Sequence, residues 1–216
     1  MNRNATLSAA YFLLVLALSY AKDSSAEQDI PANQPVKNEA AWQLLSNLRF
    51  PVDTAVAFEE SRKTRLQRKP KHQQGELSLS SDGDLAMRIT SPRKELRQIS
   101  GNILTLRRGT KTRSTTLDRS KGSQQLLVAI VDLLSGDISG LKSKFAITSQ
   151  TDATPNLDSG PYEWAWKLIP LDNQLAEQID SLLLSGNGNQ LLELRAQNGS
   201  SFHTLRISHT SDAPGP

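Results

Sequence analysis

Short segments in which every second residue is apolar fill much of the chain from Thr54 to Gly109. In the segment GELSLS, Leu77 and Leu79 alternate with polar residues, and LAMRIT, ELRQIS, NILTLRRG and TAVAFEESRKT also have the character of strands. A period of two predicts half-buried β-strands. The Asp-Gly, Ser-Pro and Ser-Gly dipeptides between segments favour tight turns, because glycine accepts positive φ and proline restricts its own φ. The pattern predicts an antiparallel meander with one apolar face.

Three segments have helical spacing instead. The clearest runs from Ser123 to Leu134, and a shorter one follows from Asp137 to Lys144. A third, from Asn38 to Leu48, predicts an amphipathic helix that starts at Asn38 and packs on the sheet. The apolar stripe of the clearest helix consists of Leu126, Leu127, Ile130, Val131 and Leu134.

Strand patterns return after the helices. The predicted strands are Phe145–Ser149, Tyr162–Pro170, Gln178–Leu184, Gln190–Ala196 and Ser201–His209. The turns between the last three contain Gly-Asn-Gly-Asn and Asn-Gly, which are strong hairpin signals.

Three aromatic residues and a leucine alternate along one of these strands: Tyr162, Trp164, Trp166 and Leu168. Such a row belongs to a hydrophobic core, or else it lines a concave face that takes an apolar ligand. The pattern leaves both interpretations open.

The order of strands, helices and strands predicts an α+β fold with a single curved antiparallel sheet and helices across its concave side. The sequence of 216 residues suits one domain with a substantial core. We assign that domain to residues 38–209, with a flexible leader at 27–37 and a disordered tail at 210–216.

Residues 1–26 have the organisation of a secretory signal peptide. Arg3 precedes an apolar run that ends near Leu18, and small residues follow, with cleavage expected after Ala21 or Ala26. The alternative is an uncleaved anchor, but the run is shorter than the roughly 20 apolar residues that span a bilayer. The sequence has no cysteine, which excludes disulfides and thiolate metal sites. We expect a soluble exported protein.

A basic linker connects the first two predicted strands, from Ser61 to Gln74, and contains no acidic residue. Its cations could contact anionic lipid headgroups or a partner, and the candidate docking residues are Arg62, Arg65, Arg68 and Lys69. The other interpretation is a solvated hairpin extension. The formal net charge of +3 is mild, and the linker has no aromatic residues for base stacking, so we expect no nucleic-acid binding.

Catalytic and metal-binding patterns are absent from the sequence. His72, His203 and His209 are scattered, and the last two are expected to be solvated. Glu59 and Glu60 are adjacent, so on a strand they project to opposite faces and cannot act as a pair. With no nucleophile elbow and no phosphate or dinucleotide loop, the sequence predicts a protein that is not an enzyme and needs no cofactor or metal.

Several short motifs resemble the outer-membrane lipoprotein carrier (LolA-like) family, in particular its divergent branch associated with glycolipid and aryl-polyene systems. They are Phe58-Glu59-Glu60, Gly75-Glu76-Leu77, Leu85 followed by Thr90-Ser91-Pro92, Ile99-Ser100-Gly101 before Leu104, and Trp166-Lys167-Leu168-Ile169-Pro170-Leu171-Asp172. The similarity extends from Trp42 to Ser208. It rests on the order and spacing of the motifs.

The resemblance implies a periplasmic protein with an unclosed half-barrel that shelters acyl chains between sheet and helices. The implied partners are an acylated lipoprotein or lipid cargo, an inner-membrane donor protein and an outer-membrane acceptor protein, and the implied state is a monomer. The corresponding apolar cavity residues are Leu77, Leu79, Leu85, Met87, Ile89, Leu104, Leu106, Ile130, Leu134, Trp164 and Trp166. A register shift of one residue would move any strand's set to the other face.

One departure from the family leaves the cargo open. The better-known carriers have an arginine beside a proline at the end of the second strand, where this chain has Ser80-Ser81-Asp82-Gly83. A lipoprotein, a glycolipid or a free acyl chain all stay as candidates. The sequence also leaves open a lipid-sensing or adaptor module with the same fold that does not transport.

Overall fold

The computed structural model describes residues 39–117, 122–149 and 162–209. Over these residues the chain forms an eleven-stranded antiparallel sheet and four helices. The predicted signal peptide, leader and tail lie outside the described residues. In chain order the elements are α1 (Glu39–Ser46), β1 (Ala55–Lys63), β2 (Lys71–Leu79), β3 (Leu85–Ser91), β4 (Glu95–Ser100), β5 (Ile103–Arg108), β6 (Lys111–Thr116), α2 (Gly122–Ser135), α3 (Ile138–Lys144), β7 (Phe145–Ser149), β8 (Trp164–Pro170), α4 (Asn173–Ala176), β9 (Ser181–Asn187), β10 (Gln190–Asn198) and β11 (Ser201–Ser208).

Two meanders make up the sheet, with strand order β6-β5-β4-β3-β2-β1-β11-β10-β9-β8-β7. The central contact is between β1 and β11, so the first and last strands pair. The edge strands β6 and β7 are consecutive in the chain, and the segment that contains α2 and α3 joins them. A connection between opposite edges must cross the width of the sheet, which brings the helices over one face. This confirms the predicted α+β fold with a single unclosed sheet.

Most predicted elements occur near their expected positions, with three differences. Strand β2 begins at Lys71, so the basic linker is shorter than expected and only residues 64–70 connect β1 to β2. Strand β9 starts at Ser181, because the residues before it close the turn that follows α4. Strand β6 was missed: all six of its residues are exposed, so its sequence has no apolar alternation.

The core lies between the helices and one face of the sheet, which we call the inner face. Phe58, Leu77, Leu168 and Leu182 are almost completely buried there, and each such side chain contributes about 1.5–3 kcal/mol relative to an exposed one. The predicted hairpin between β10 and β11 is confirmed, and Gly199 in its turn has a φ of 53°, a conformation that favours glycine.

Candidate functional site

The apolar face predicted for the first meander is present on β2 to β5. Leu77 pairs with Met87, and Leu79 pairs with Leu85. Directly paired residues of antiparallel strands project to the same side, so the pairing places a continuous set of predicted cavity residues on the inner face. This set is Leu77, Leu79, Leu85, Met87, Ile89, Leu104 and Leu106. All are buried except Met87 and Leu106, which are partly buried against the core. Their contact with a ligand stays a prediction.

Strands β8 to β11 extend the apolar face across the sheet. Leu168 pairs with Leu182, and Leu184 is flanked by Trp166 on one side and Leu194 on the other. The inner face therefore presents apolar side chains on both meanders.

The two tryptophans of β8 share the inner face but differ in their polar contacts. The Trp164 indole N–H donates to the Gly188 carbonyl at 2.9 Å. The Trp166 indole N–H is buried and has no hydrogen-bond partner among the described residues. Both rings pack against the core cluster. These contacts are compatible with either interpretation of the aromatic row.

Tyr162 does not belong to the aromatic row, so that part of the prediction is wrong. It precedes β8, and its hydroxyl donates to Glu193 at 3.2 Å. Glu193 lies on the outer face of the sheet, where it pairs with Arg206. Side chains alternate between the two faces only within the strand. Tyr162 precedes β8 and therefore need not project to the same face as Trp164 and Trp166.

Helix α2 covers the inner face with a wider apolar surface than the stripe predicted. Leu126, Ala129 and Leu133 are its most buried residues, Leu134 is also buried, and Ile130 is partly buried. A helix that is apolar on most sides needs neighbours on more than one side. Here α2 contacts both α3 and α4, α1 contacts α3, and α1 also contacts β7.

The apolar character of the inner face ends at a buried charged cluster on the first meander. The Arg97 side chain is 2% exposed. Its Nε donates to Glu95 Oε1 at 2.7 Å, and its two terminal nitrogens donate to Glu60 Oε2 at 3.3 Å and Gln73 Oε1 at 2.9 Å. The same guanidinium is 3.7 Å from the Met87 sulfur. Polar and apolar parts of the inner face are therefore in direct contact.

Glu60 is a buried carboxylate of this cluster with a strongly lowered pKa. His203 Nε2 lies 2.9 Å from Glu60 Oε1. Burial by itself raises the pKa of Glu60, but the hydrogen bond with His203 and the charges of His203, Arg97 and Arg62 lower the pKa to about 2. Glu60 is therefore ionised in the folded protein at neutral pH.

The expectation that the two C-terminal histidines are solvated is wrong. His203 is on the inner face beside Glu60, and His209 Nε2 lies 2.8 Å from the Leu191 carbonyl oxygen, with the Phe50 ring edge-on to the imidazole. Strand β11 lies in the centre of the sheet, between β1 and β10, so position near the end of the sequence does not imply exposure.

The four predicted docking residues separate into two groups. Arg62 lies on β1 with its side chain toward Glu60, and burial lowers its pKa while Glu60 opposes that shift. Arg65, Arg68 and Lys69 are exposed in the loop of residues 64–70. Leu66, in the same loop, is 92% exposed. The loop, without Arg62, forms one exposed basic segment around an apolar side chain.

Sequence reasoning missed the charged cluster, although one signal was present. In β4 the inner-face residues are Glu95, Arg97 and Ile99. Two opposite charges at alternate positions of a strand project to the same side. Their partners on β1, β2 and β11 could not be identified without the strand order.

No group of three or more histidine, cysteine or acidic side chains in the described ranges is arranged to hold a metal ion. Among those ranges, no helix has the length and apolar content of a membrane span.

The family model for outer membrane lipoprotein carrier protein LolA-like matches residues 32–215. The chain belongs to this LolA-like family. Members of the LolA-like family are carrier and binding proteins. A comparison with curated proteins found no match for this LolA-like chain.

Solved structures similar to this LolA-like protein share little sequence identity with it. A LolA superfamily protein from Nitrosomonas europaea is 13% identical, with 79% of this chain and 90% of that chain covered and a TM-score of 0.38. The lipoprotein LppX from Mycobacterium tuberculosis is 8% identical, with 82% and 98% covered and a TM-score of 0.41. LprF from Mycobacterium bovis is 11% identical, with 82% and 95% covered and a TM-score of 0.37.

Proposed function

We propose that this LolA-like protein is a periplasmic carrier that shelters the acyl chains of a lipoprotein or other lipid during transfer toward the outer membrane. The observation that carries the proposal is the continuous apolar inner face of an unclosed sheet, covered by a separate helical layer. Family membership and the predicted signal peptide support the location. An inner-membrane donor protein and an outer-membrane acceptor protein are the partners that such transfer needs.

The free energy required favours a broad apolar surface over a small pocket. Exposing an acyl chain to water costs about 0.8 kcal/mol per methylene, so a chain of about 16 carbons needs roughly 12 kcal/mol of shelter. The predicted cavity residues on β2 to β5, together with Ile130, Leu134, Trp164 and Trp166, offer that surface. Movement of the helical layer away from β2 to β5 would open the face to cargo.

The loop of residues 64–70 is the docking segment in this proposal, and its target is an anionic membrane surface. Arg65, Arg68 and Lys69 supply exposed positive charge, and Leu66 supplies an exposed apolar side chain between them. Cations attract the segment to anionic headgroups, and the leucine gains burial at the interface. Arg62 is assigned to the inner face and not to this segment.

The first experiment is native mass spectrometry of the mature protein purified gently from the periplasm, with lipid extraction of the bound species. Transfer of a fluorescent phospholipid from donor to acceptor vesicles measures the carrier activity. A stoichiometric acylated ligand together with accelerated transfer would support the proposal. Lipid that binds but is not transferred would identify the sensing or adaptor alternative, and an unliganded protein that binds no fluorescent fatty acid would overturn both.

A pair of variants on β5 tests whether lipid occupies the inner face. Leu106 is partly buried on that face, whereas Ile103, on the same strand, is exposed on the outer face. Leu106→Trp should fill space over β4 and β5 and lower lipid uptake, while Ile103→Trp should not. Equal uptake by the two folded variants would contradict the assignment of this face.

A further inference from the structure

A cleft beside the charged cluster carries an excess of positive charge. It has a volume of about 480 Å³ and is lined by Lys71, His72, Gln73, Pro92, Arg93, Glu95 and Arg108. Lys71 is at the start of β2, Arg93 is in the turn between β3 and β4, and Arg108 is at the end of β5. Three separate parts of the first meander therefore bring cations to one place.

The acidic residue in this cleft is already neutralised by internal partners. Glu95 Oε1 accepts a hydrogen bond from Arg97. Glu95 Oε2 accepts hydrogen bonds from Arg108, one of them from Nε at 2.9 Å. Glu60, the other carboxylate of the charged cluster, is paired with Arg97. Lys71 and Arg93 are exposed and have no ion-pair partner in the described part of the chain.

Arg108 is positioned for a ligand by its contact with Glu95. That contact uses its Nε and one terminal nitrogen, while 46% of the side chain stays exposed. A guanidinium held in this way loses little conformational freedom when its other donors bind an anion. Arginine donors match phosphate oxygens in paired hydrogen bonds, and lysine adds a mobile point charge.

The cleft adjoins the apolar part of the inner face directly. Glu95 pairs with Ile89 across β3 and β4, and Arg97 pairs with Met87 one step further along. An amphipathic molecule with its acyl chains over Met87 and Ile89 would therefore place its polar end at the cleft.

We propose that the cleft of Lys71, Arg93 and Arg108 binds the anionic, phosphate-bearing headgroup of the carried lipid. This inference rests on the proposed carrier function and narrows its cargo to anionic amphiphiles. The acyl chains supply most of the binding free energy, and the cleft selects among lipids by their charge. Free inorganic phosphate presents the same chemistry without an acyl chain, so the test must separate the two sources.

The test compares uptake of phosphatidylglycerol with uptake of phosphatidylcholine of identical acyl chains. Native mass spectrometry measures both after incubation with vesicles that contain the two lipids in equal amounts, so that membrane docking is the same for both. The variant is Lys71→Gln with Arg93→Gln, which leaves the buried charged cluster intact. The matched control is Arg88→Gln with Lys167→Gln, which removes two cations from outer-face positions of β3 and β8. We expect the wild type and the control to prefer phosphatidylglycerol by about tenfold, the effect of one charge-assisted hydrogen bond, and the variant to lose that preference.

The outcomes separate this inference from the proposed function. The headgroup site would be overturned if the wild type took up both lipids without preference. It would also be overturned if the double variant Lys71→Gln with Arg93→Gln kept the preference. Either result would leave the carrier function standing. No uptake of either lipid would overturn both. Calorimetric titration with inorganic phosphate is the last measurement. If the wild type is saturated at micromolar phosphate and the variant does not bind it, the cleft is a site for a soluble anion, and the proposal of a lipid headgroup site is overturned.

Discussion

Arg97 on β4 and Glu60 on β1 form a buried ion pair across two intervening strands, with Nη1 3.3 Å from Oε2, and the two residues are 37 positions apart in the sequence. Both side chains are at most 4% exposed. The pair joins the middle of the first meander to the strand that holds the two meanders together, so it connects the charged end of the inner face to the centre of the sheet.

Replacement of Arg97 by methionine should destabilise the protein by about 3–5 kcal/mol, because it removes the buried cation that contacts both Glu60 and Glu95. Urea unfolding followed by circular dichroism measures the change. The double variant Arg97→Met with Glu60→Gln should recover part of the loss, since one unpaired charge is removed. A single variant within about 1 kcal/mol of wild type would contradict a structural role for the cluster.

The stability of the protein should depend on Glu60 in acid. In the folded state the pKa of Glu60 is lowered from 4.5 to about 2. The ionised carboxylate therefore stabilises the fold fully above about pH 4.5, and this stabilisation is lost as the pH falls toward 2. The full contribution is on the order of 3 kcal/mol. Unfolding free energies of wild type and Glu60→Gln should therefore converge between pH 4.5 and 2. Glu59→Gln, its exposed neighbour, is the control and should show no such convergence.

Gly75→Ala should destabilise the first meander, because an added Cβ at this position would collide with the Arg88 carbonyl group of β3. Gly75 sits at the irregular step in the β2–β3 pairing, where backbone atoms of the two strands approach closely. We expect a loss of more than about 2 kcal/mol in urea unfolding. Gly140→Ala in α3 is the comparison: its Cβ would meet only the Asp132 side chain, and alanine favours a helix, so the change should stay within about 1 kcal/mol.

Membrane docking through the loop of residues 64–70 should weaken when Arg65 and Arg68 are replaced by glutamine. Each cation near an anionic surface contributes about 1 kcal/mol, so the double variant should bind vesicles containing phosphatidylglycerol about thirtyfold less tightly. Co-sedimentation at low salt measures the binding. Arg88→Gln with Lys167→Gln removes the same charge elsewhere and should have little effect. Similar losses in both variants would indicate that only net charge matters and that the loop has no special role.

The amino-acid sequence by itself determined the local elements and the class of fold. Alternation at Leu77, Leu79, Leu85 and Ile89 predicted strands with one apolar face, because that signal depends only on neighbouring residues. The helix near Leu126 and the Asn-Gly turn at Gly199 were also predictable, since helical spacing and turn geometry are local properties. The apolar residues proposed to contact lipid could therefore be named from the sequence. The structure places those of the strands on the inner face, and Ile130 and Leu134 of α2 in the same hydrophobic core.

The tertiary structure decided which charges meet. Glu60, Gln73, Arg97 and His203 come from four strands, and their contact depends on pairings such as that of β1 with β11, which close over most of the chain. Solvation was predicted for His203 because it lies near the end of the sequence, but burial depends on the strands on either side. Strand β6 could not be predicted from the sequence because all its residues are exposed. An exposed edge strand is held by backbone pairing, here with β5, and needs no apolar pattern. Long-range register, which no local pattern records, thus produced both the charged cluster and the cationic cleft.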